Sequence, residues 1–201
     1  MSPRKSVAET ATTRTRIIER AFALASAEGL EGLTIGRLAT DLEMSKAGVI
    51  GHFGTKEALQ LATLEAAVDR FRRRVPAQAM GAKPGLERLT RAFGEWIDYM
   101  TGDEAYGGCF LTSVATEYDG RPGPVRDAVL AALSRWSDYV RAELRTAVEA
   151  GDLTADTDLD QLAFELNGVI LATDQAIQLH HDPGAPARAH RAMDRLLGGR
   201  A

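Results

Sequence analysis

Apolar residues recur at three- and four-residue spacing almost from end to end of this chain, while alternating β-branched runs and Asn-Gly hairpin turns are missing. The pattern predicts an all-α protein. Ile17, Ala21 and Leu24, beside Ile18, Phe22 and Ala25, form the stripe of a first helix from about Thr10 to Glu28, and Gly29 stands where a left-handed residue ends it. Three segments follow closely. Thr34 is placed to cap a short helix whose apolar face is Ile35, Leu38, Ala39 and Leu42. Ser45 caps a second through about Phe53, and Thr55 caps a third that runs on through Leu59, Leu61, Leu64, Val68 and Phe71. The space between Thr34 and Ser45 holds a short helix and a turn of about three or four residues, the size of a helix-turn-helix.

Pro76 ends or kinks the third of these helices, and Met80 to Gly85 reads as a loop. Further helices are expected over Leu86 to Met100, Gly108 to Glu117, Val125 to Ala150, Asp158 to His180 and Pro186 to Leu197, about nine in all. Their breaks are Thr101 to Gly107, the turn Arg121-Pro122-Gly123-Pro124, Gly151, and Asp182-Pro183-Gly184. A chain of 201 residues can bury a sizeable core, in one domain or in a small plus a larger one.

Charge changes the picture only when it is divided. The net charge of −4 argues, as a single figure, against a nucleic-acid partner. Residues 1–60, however, carry 8 basic and 7 acidic side chains, and residues 61–201 carry 16 and 21. The acidity belongs to the later part. Among the early cations, Arg4, Lys5, Arg14 and Arg16 stand before or within the start of the first helix, and Lys46 and Lys56 begin later ones. The one cysteine, Cys109, rules out an internal disulfide. No apolar run approaches the ~20 residues of a membrane span. Met1 to Lys5 leads into polar sequence unlike a secretory signal, so the expected compartment is the cytoplasm, with no membrane partner.

The stretch from Thr34 to Leu59, with Ser45-Lys46, then His52-Phe53, then Thr55-Lys56-Glu57-Ala58-Leu59, resembles the DNA-binding region of the TetR family of one-component repressors. Ile17 through Gly29 fits that family's first helix, so the likeness covers roughly residues 10–60. Gly107-Gly108-Cys109-Phe110 and Arg121 through Arg126 are similar to a subset of such regulators. The resemblance implies a three-helix helix-turn-helix DNA-binding domain at residues 1–54, with an arm at about 1–9, and a ligand-binding and dimerisation bundle at residues 55–201. It implies a homodimer on a pseudo-palindromic double-stranded operator, released by a small, mostly apolar effector, and no cofactor. A helical adaptor that keeps the helix-turn-helix only as structure is the alternative. An enzyme would need motifs this chain lacks: Glu-x-x-His, a Gly-rich phosphate loop, a Cys–His signature.

Physical chemistry supports specific contacts. Gly48 and Gly51 let a recognition helix approach the major groove closely, although each costs about 1 kcal/mol of helix propensity. Ala47 is also small. Ser45 and Lys46 sit at a helix N-terminus, which favours phosphate. Lys56 opposes its own helix dipole unless an anion is close, as a phosphate clamp requires. Thr34 and Arg37 of the preceding helix are in position for backbone or base edge, and His52 closes the set. Ile50 departs from the family pattern, which usually has an aromatic there, as Gly51 departs from a larger polar residue. Ile50 either meets a thymine methyl or packs under the helix. Capping alone remains a reading for Thr34, Ser45 and Thr55, and a solvated face for Arg72-Arg73-Arg74.

The family likeness further implies a ligand cavity among the later helices. Its candidates are Trp96, Tyr99, Met100, Cys109, Phe110, Ser113, Glu117, Trp136, Tyr139, Phe164 and Asn167, against the reading that aromatics at helical spacing are core. Asp174 is a further polar position in an apolar helix. Cys109 reads as a buried inert thiol, having no basic neighbour in sequence. Dimerisation is expected through the last two long helices, with Leu162, Leu166, Val169, Ile170, Leu196 and Leu197 as contacts and Gly168 allowing close approach. His180, His181 and His190 do not suggest a metal, since adjacent helical histidines diverge by about 100°.

Overall fold

The computed structural model describes residues 7–102 and 108–198, and every regular element in them is a helix. The order is α1 (Val7–Glu28), α2 (Ile35–Asp41), α3 (Lys46–Phe53), α4 (Lys56–Arg74), α5 (Pro76–Ala79), α6 (Leu86–Thr101), α7 (Phe110–Tyr118), α8 (Pro124–Glu149), α9 (Leu159–Gln178) and α10 (Ala185–Gly198). The expected nine are present, and α5 is an added single turn. It begins at Pro76 because proline lacks only an N–H that a first turn leaves unused. Arg4 and Lys5 of the expected arm, and the Gly107 end of the expected loop, lie outside the described residues.

Local chemistry sets the helix starts. The Thr34 hydroxyl accepts the Arg37 N–H at 3.1 Å, Ser45 accepts Gly48 N–H at 3.0 Å, and Thr55 accepts Ala58 N–H at 3.0 Å. Asp158 accepts from the N–H groups of Asp160 and Gln161. Each bond satisfies a donor that the first helical turn leaves orphaned, worth about 1 kcal/mol.

Packing then joins two parts through α4. This helix lies on α1 at one side and on α8 at the other, while α10 packs on both α9 and α6. One continuous core runs from Ile17 of α1 to Leu197 of α10. The head formed by α1 to α3 is therefore continuous with the larger body.

Four of the six expected dimer contacts face the core of their own chain. Leu162, Leu166, Ile170 and Leu197 are buried within the single chain, and Val169 and Leu196 are half-buried against the same core. α9 carries two apolar stripes. The inward one is filled by this chain, and the other presents Phe164, Gly168 and Leu171 to solvent. Periodicity alone does not choose between two apolar faces of one helix.

Gly85 fixes how α6 enters the body. It stands at φ +96°, and a Cβ there would meet the backbone N and Cα of Ala147 in α8 at 3.2 and 3.3 Å. Its N–H is held at 2.7 Å by the buried Glu143 carboxylate, which also pairs with Arg88 at 3.3 Å. Gly85→Ala is expected to cost about 2 kcal/mol, from the backbone conformation and the contact with α8 together. A lowered urea midpoint at unchanged slope checks it.

Candidate nucleic-acid interface and sensing region

α2 and α3 are joined by a tight turn in which Glu43 takes φ +53° and the Met44 N–H bonds to the Ala39 carbonyl at 2.9 Å. α3 is held on one side by Val49, which is fully buried. Its other side is open: Lys46, Ala47, Ile50 and Gly51 are exposed, and Gly48 and His52 are half-buried. Ile50 is 43% exposed, which excludes packing under the helix. A Cβ at Gly51 would meet nothing, whereas one at Gly48 would lie 3.2 Å from the Ser45 hydroxyl that caps the helix.

The cations are placed unequally. Arg14, near the start of α1, fixes the end of α3: its guanidinium donates to the His52 carbonyl at 2.9 Å and lies 4.3 Å over the Phe53 ring. Arg37 pairs with Glu28 at 3.2 Å and Asp41 at 3.3 Å, and Arg20 pairs with Asp41 at 2.6 Å. The Arg20 guanidinium beside it holds the Asp41 carboxyl below its usual range. Lys56 donates to the Glu31 carbonyl at 2.7 Å and to the Glu31 carboxylate at 2.9 Å, so the anion that offsets its helix dipole is internal. Lys46 makes no ion pair among the described residues. Its chain lies against Gly36 of α2, where a Cβ would meet Cε at 3.3 Å. Arg72, in the exposed basic run at the end of α4, pairs with Asp69.

Polar contacts tie head to body. Glu117, expected at a ligand, lies at this junction instead: its carboxylate accepts the N–H groups of Leu30 and Glu31 at 2.8 and 2.7 Å. Buried Gln60 donates to the Leu30 carbonyl, to Glu31 and to the Tyr118 hydroxyl. Burial, and then the hydrogen bond that the Tyr118 hydroxyl donates to Glu31, push that hydroxyl well above its ordinary value. Gln60 and Tyr118 escaped the sequence reading because neither helix pattern nor motif marks a polar group that bonds across helices.

The expected sensing residues divide into core and groove. Trp96, Tyr99, Met100, Cys109 and Phe110 are buried, and Ser113 is exposed. Trp96 meets Trp136 edge-on at 4.9 Å and Phe71 at 5.0 Å, and Phe93 meets Trp136 at 5.6 Å. Phe71 and Phe93 thus join a cluster the sequence reading had assigned to others. The Tyr139 hydroxyl is buried there without a hydrogen-bond partner among the described residues, and the Trp96 N–H is turned toward the Cys109 sulfur. Burial pushes Tyr139 up to about 12 and also raises the Cys109 thiol, which stays protonated. Beside the cluster, a groove of about 370 Å³ between α6, α8 and α9 is lined by Phe93, Trp136, Val140, Phe164 and Asn167. Arg141 at its edge is taken by Asp160 at 2.7 Å and by Ser137 at 2.6 Å. No group of three or more metal-ligating side chains occurs among the described residues. No described helix is long and apolar enough to cross a membrane.

A helix-turn-helix whose second helix presents an uncovered face, mounted on a larger helical body, is the arrangement expected of a DNA-binding regulator. Family comparison agrees: residues 17–63 match the bacterial regulatory proteins of the tetR family, and residues 85–193 match the tetracyclin repressor-like C-terminal domain. The chain belongs to the TetR family of DNA-binding transcriptional regulators, which are not enzymes. Solved structures share the fold. A TetR regulator from Chloroflexus aurantiacus superposes with a TM-score of 0.89 at 22% identity over 96% of this chain and 98% of its own. A regulator from Saccharomonospora viridis, solved with choline, gives 0.80 at 24% identity over 94% and 96%. AibR, solved with isovaleryl coenzyme A and operator DNA, gives 0.72 at 22% over 92% and 97%. No curated protein sequence matches significantly.

The junction has a pH signature. Hydrogen bonds from Lys56, then from Gln60, hold the Glu31 carboxyl below its ordinary 4.5. The charged form is favoured in the fold, so its stabilisation is complete above about pH 4.5 and is lost as pH falls through the lowered value. Urea midpoints from pH 7 to pH 3 should fall less steeply in Glu31→Gln than in the parent, because that carboxyl no longer titrates.

Proposed function

We propose that this protein is a cytoplasmic, homodimeric repressor that binds a pseudo-palindromic operator and is released by a small, mostly apolar effector. Residues 1–54 serve as the DNA-binding unit and residues 55–201 as the sensing and dimerisation unit. The observation that carries the reading is the open face of α3, where Lys46, Ala47, Ile50 and Gly51 meet no other part of the chain that covers them. Ser45 and Lys46 at its start offer N–H groups and charge to phosphate, and Ile50 is free to touch a thymine methyl. Thr34, Arg37, Gly48, His52 and Lys56 flank that face. The ion pairs of Arg37 and Lys56 hold both cations in place beside that face. AibR, with its operator and an acyl coenzyme A, supports the pairing of DNA and ligand in this fold. The match of residues 17–63 to the bacterial regulatory proteins of the tetR family favours this reading over that of a helical adaptor.

The effector reading rests on the groove and its aromatic wall. Its volume lies in the range of ~300–1,000 Å³ typical of small-molecule sites. Arg141 is already neutralised, so the lining favours a neutral, largely apolar molecule. Dimerisation rests on the outer face of α9. Phe164 is 73% exposed and Leu171 47%, with Gly168 between them leaving room for a close neighbour. A twofold pairing of α9 with its copy covers this stripe.

Gel retardation of DNA from the region upstream of its own gene tests the central claim; no sequence-specific band at moderate salt would sink it. Lys46→Ala should weaken binding several-fold and lower the salt slope by about one unit, the mark of one lost phosphate contact.

Phe164→Asp combined with Leu171→Asp is expected to yield folded monomers in sedimentation experiments, with specific DNA binding lost. An unchanged dimer would place the interface elsewhere.

A further inference from the structure

α7 is held at both ends by carboxylates. At its start, Asp174 of α9 accepts the Cys109 N–H at 2.8 Å and the Thr112 hydroxyl at 2.7 Å. Both acid and hydroxyl are buried, so these bonds meet little competition from water. At its end, Glu117 accepts the two consecutive N–H groups of Leu30 and Glu31 in the turn that follows α1. That turn fits closely around the acid: Gly29 stands at φ +84°, and a Cβ there would lie 3.1 Å from Glu117 Oε1. Between its ends α7 buries Phe110, Leu111 and Val114, which leaves it little freedom to bend or slide independently.

We propose that α7 is a tie between α9 and the head, with Asp174 and Glu117 as its two fastenings, so that a displacement of α9 reaches the turn at residues 29–31. α9 also supplies Phe164 and Asn167 to the groove, which puts one wall of the effector region and one fastening of the tie on the same helix. Gln60 of α4 bonds both to the Leu30 carbonyl and to the Tyr118 hydroxyl of α7, and Lys56 bonds to Glu31, so α4, the turn and the end of α7 are linked at one point and a displacement of α7 is passed through the turn to α2 and α3. Glu117 is thus a positioning residue. The effect on operator binding rests on the function proposed above; the mechanical coupling does not.

Residue-resolved amide exchange on the full chain, without DNA or effector, tests the coupling alone. Glu117→Gln should speed exchange at Leu30 and Glu31 by about tenfold, because a neutral amide offers these two donors one acceptor atom and no charge. Thr112→Val leaves the head untouched and removes one bond to Asp174; the same two amides should exchange roughly threefold faster while those of α6 and α10 hold. Asp174→Ala should exceed Thr112→Val, and if it fails to fold, Thr112→Val decides alone. Leu30 and Glu31 at parental rates in Thr112→Val, or a uniform rise across all helices, would overturn the tie.

Discussion

The burial of one side chain, Val49, makes the recognition helix possible. α3 has eight residues, two of them glycine, and isolated helices below about 12 residues are marginal in water. Tertiary contact must therefore supply what propensity lacks. Val49 anchors the inner side of the helix in the core, Ser45 closes its start, and Arg14 closes its end through the His52 carbonyl. With stability drawn from the inner side and the two ends, the outer side has no structural task. It can carry glycine, alanine and isoleucine, chosen by what they meet outside the protein.

Much of this was legible in the sequence. Capping residues before apolar periodic runs marked α2, α3, α4 and α9 to within a residue at their starts, because a hydroxyl or carboxylate at a helix start bonds only locally. Motif spacing exposed the helix-turn-helix for the same reason. What could not be read involves pairs distant in sequence. Glu117 looked like a ligand residue since a carboxylate within an apolar helix invites a partner, and nothing local announces that the partner is the backbone of residues 30 and 31. α9 was misread by face, because both of its sides are apolar and only the packing of α6, α8 and α10 decides which is covered. The aromatic cluster was half seen: Trp96 and Trp136 were marked, but Phe71 was read only as one apolar position among several along α4, and nothing local says that it meets the tryptophans.

Net charge acquires meaning from the ion pairs. The early cations are numerous enough to suggest a basic surface, yet Arg14, Arg20, Arg37 and Lys56 are bound to carbonyl or carboxylate oxygens of the protein itself. Exposed pairs of this kind contribute at most about 1 kcal/mol each to stability. Their larger effect is to restrict where positive potential is available to an incoming polyanion. On the function proposed above, this leaves discrimination between DNA sequences to the few groups on α3.

Gly36 belongs to α2 and displays no side chain at all, yet the stem of Lys46 rests against it. A side chain at that position would press on the end of the lysine stem and shift its ammonium group. On the function proposed above, the direction in which Lys46 offers its charge to DNA is set partly at position 36, so that target preference can drift through exchanges there while every residue of α3 stays the same.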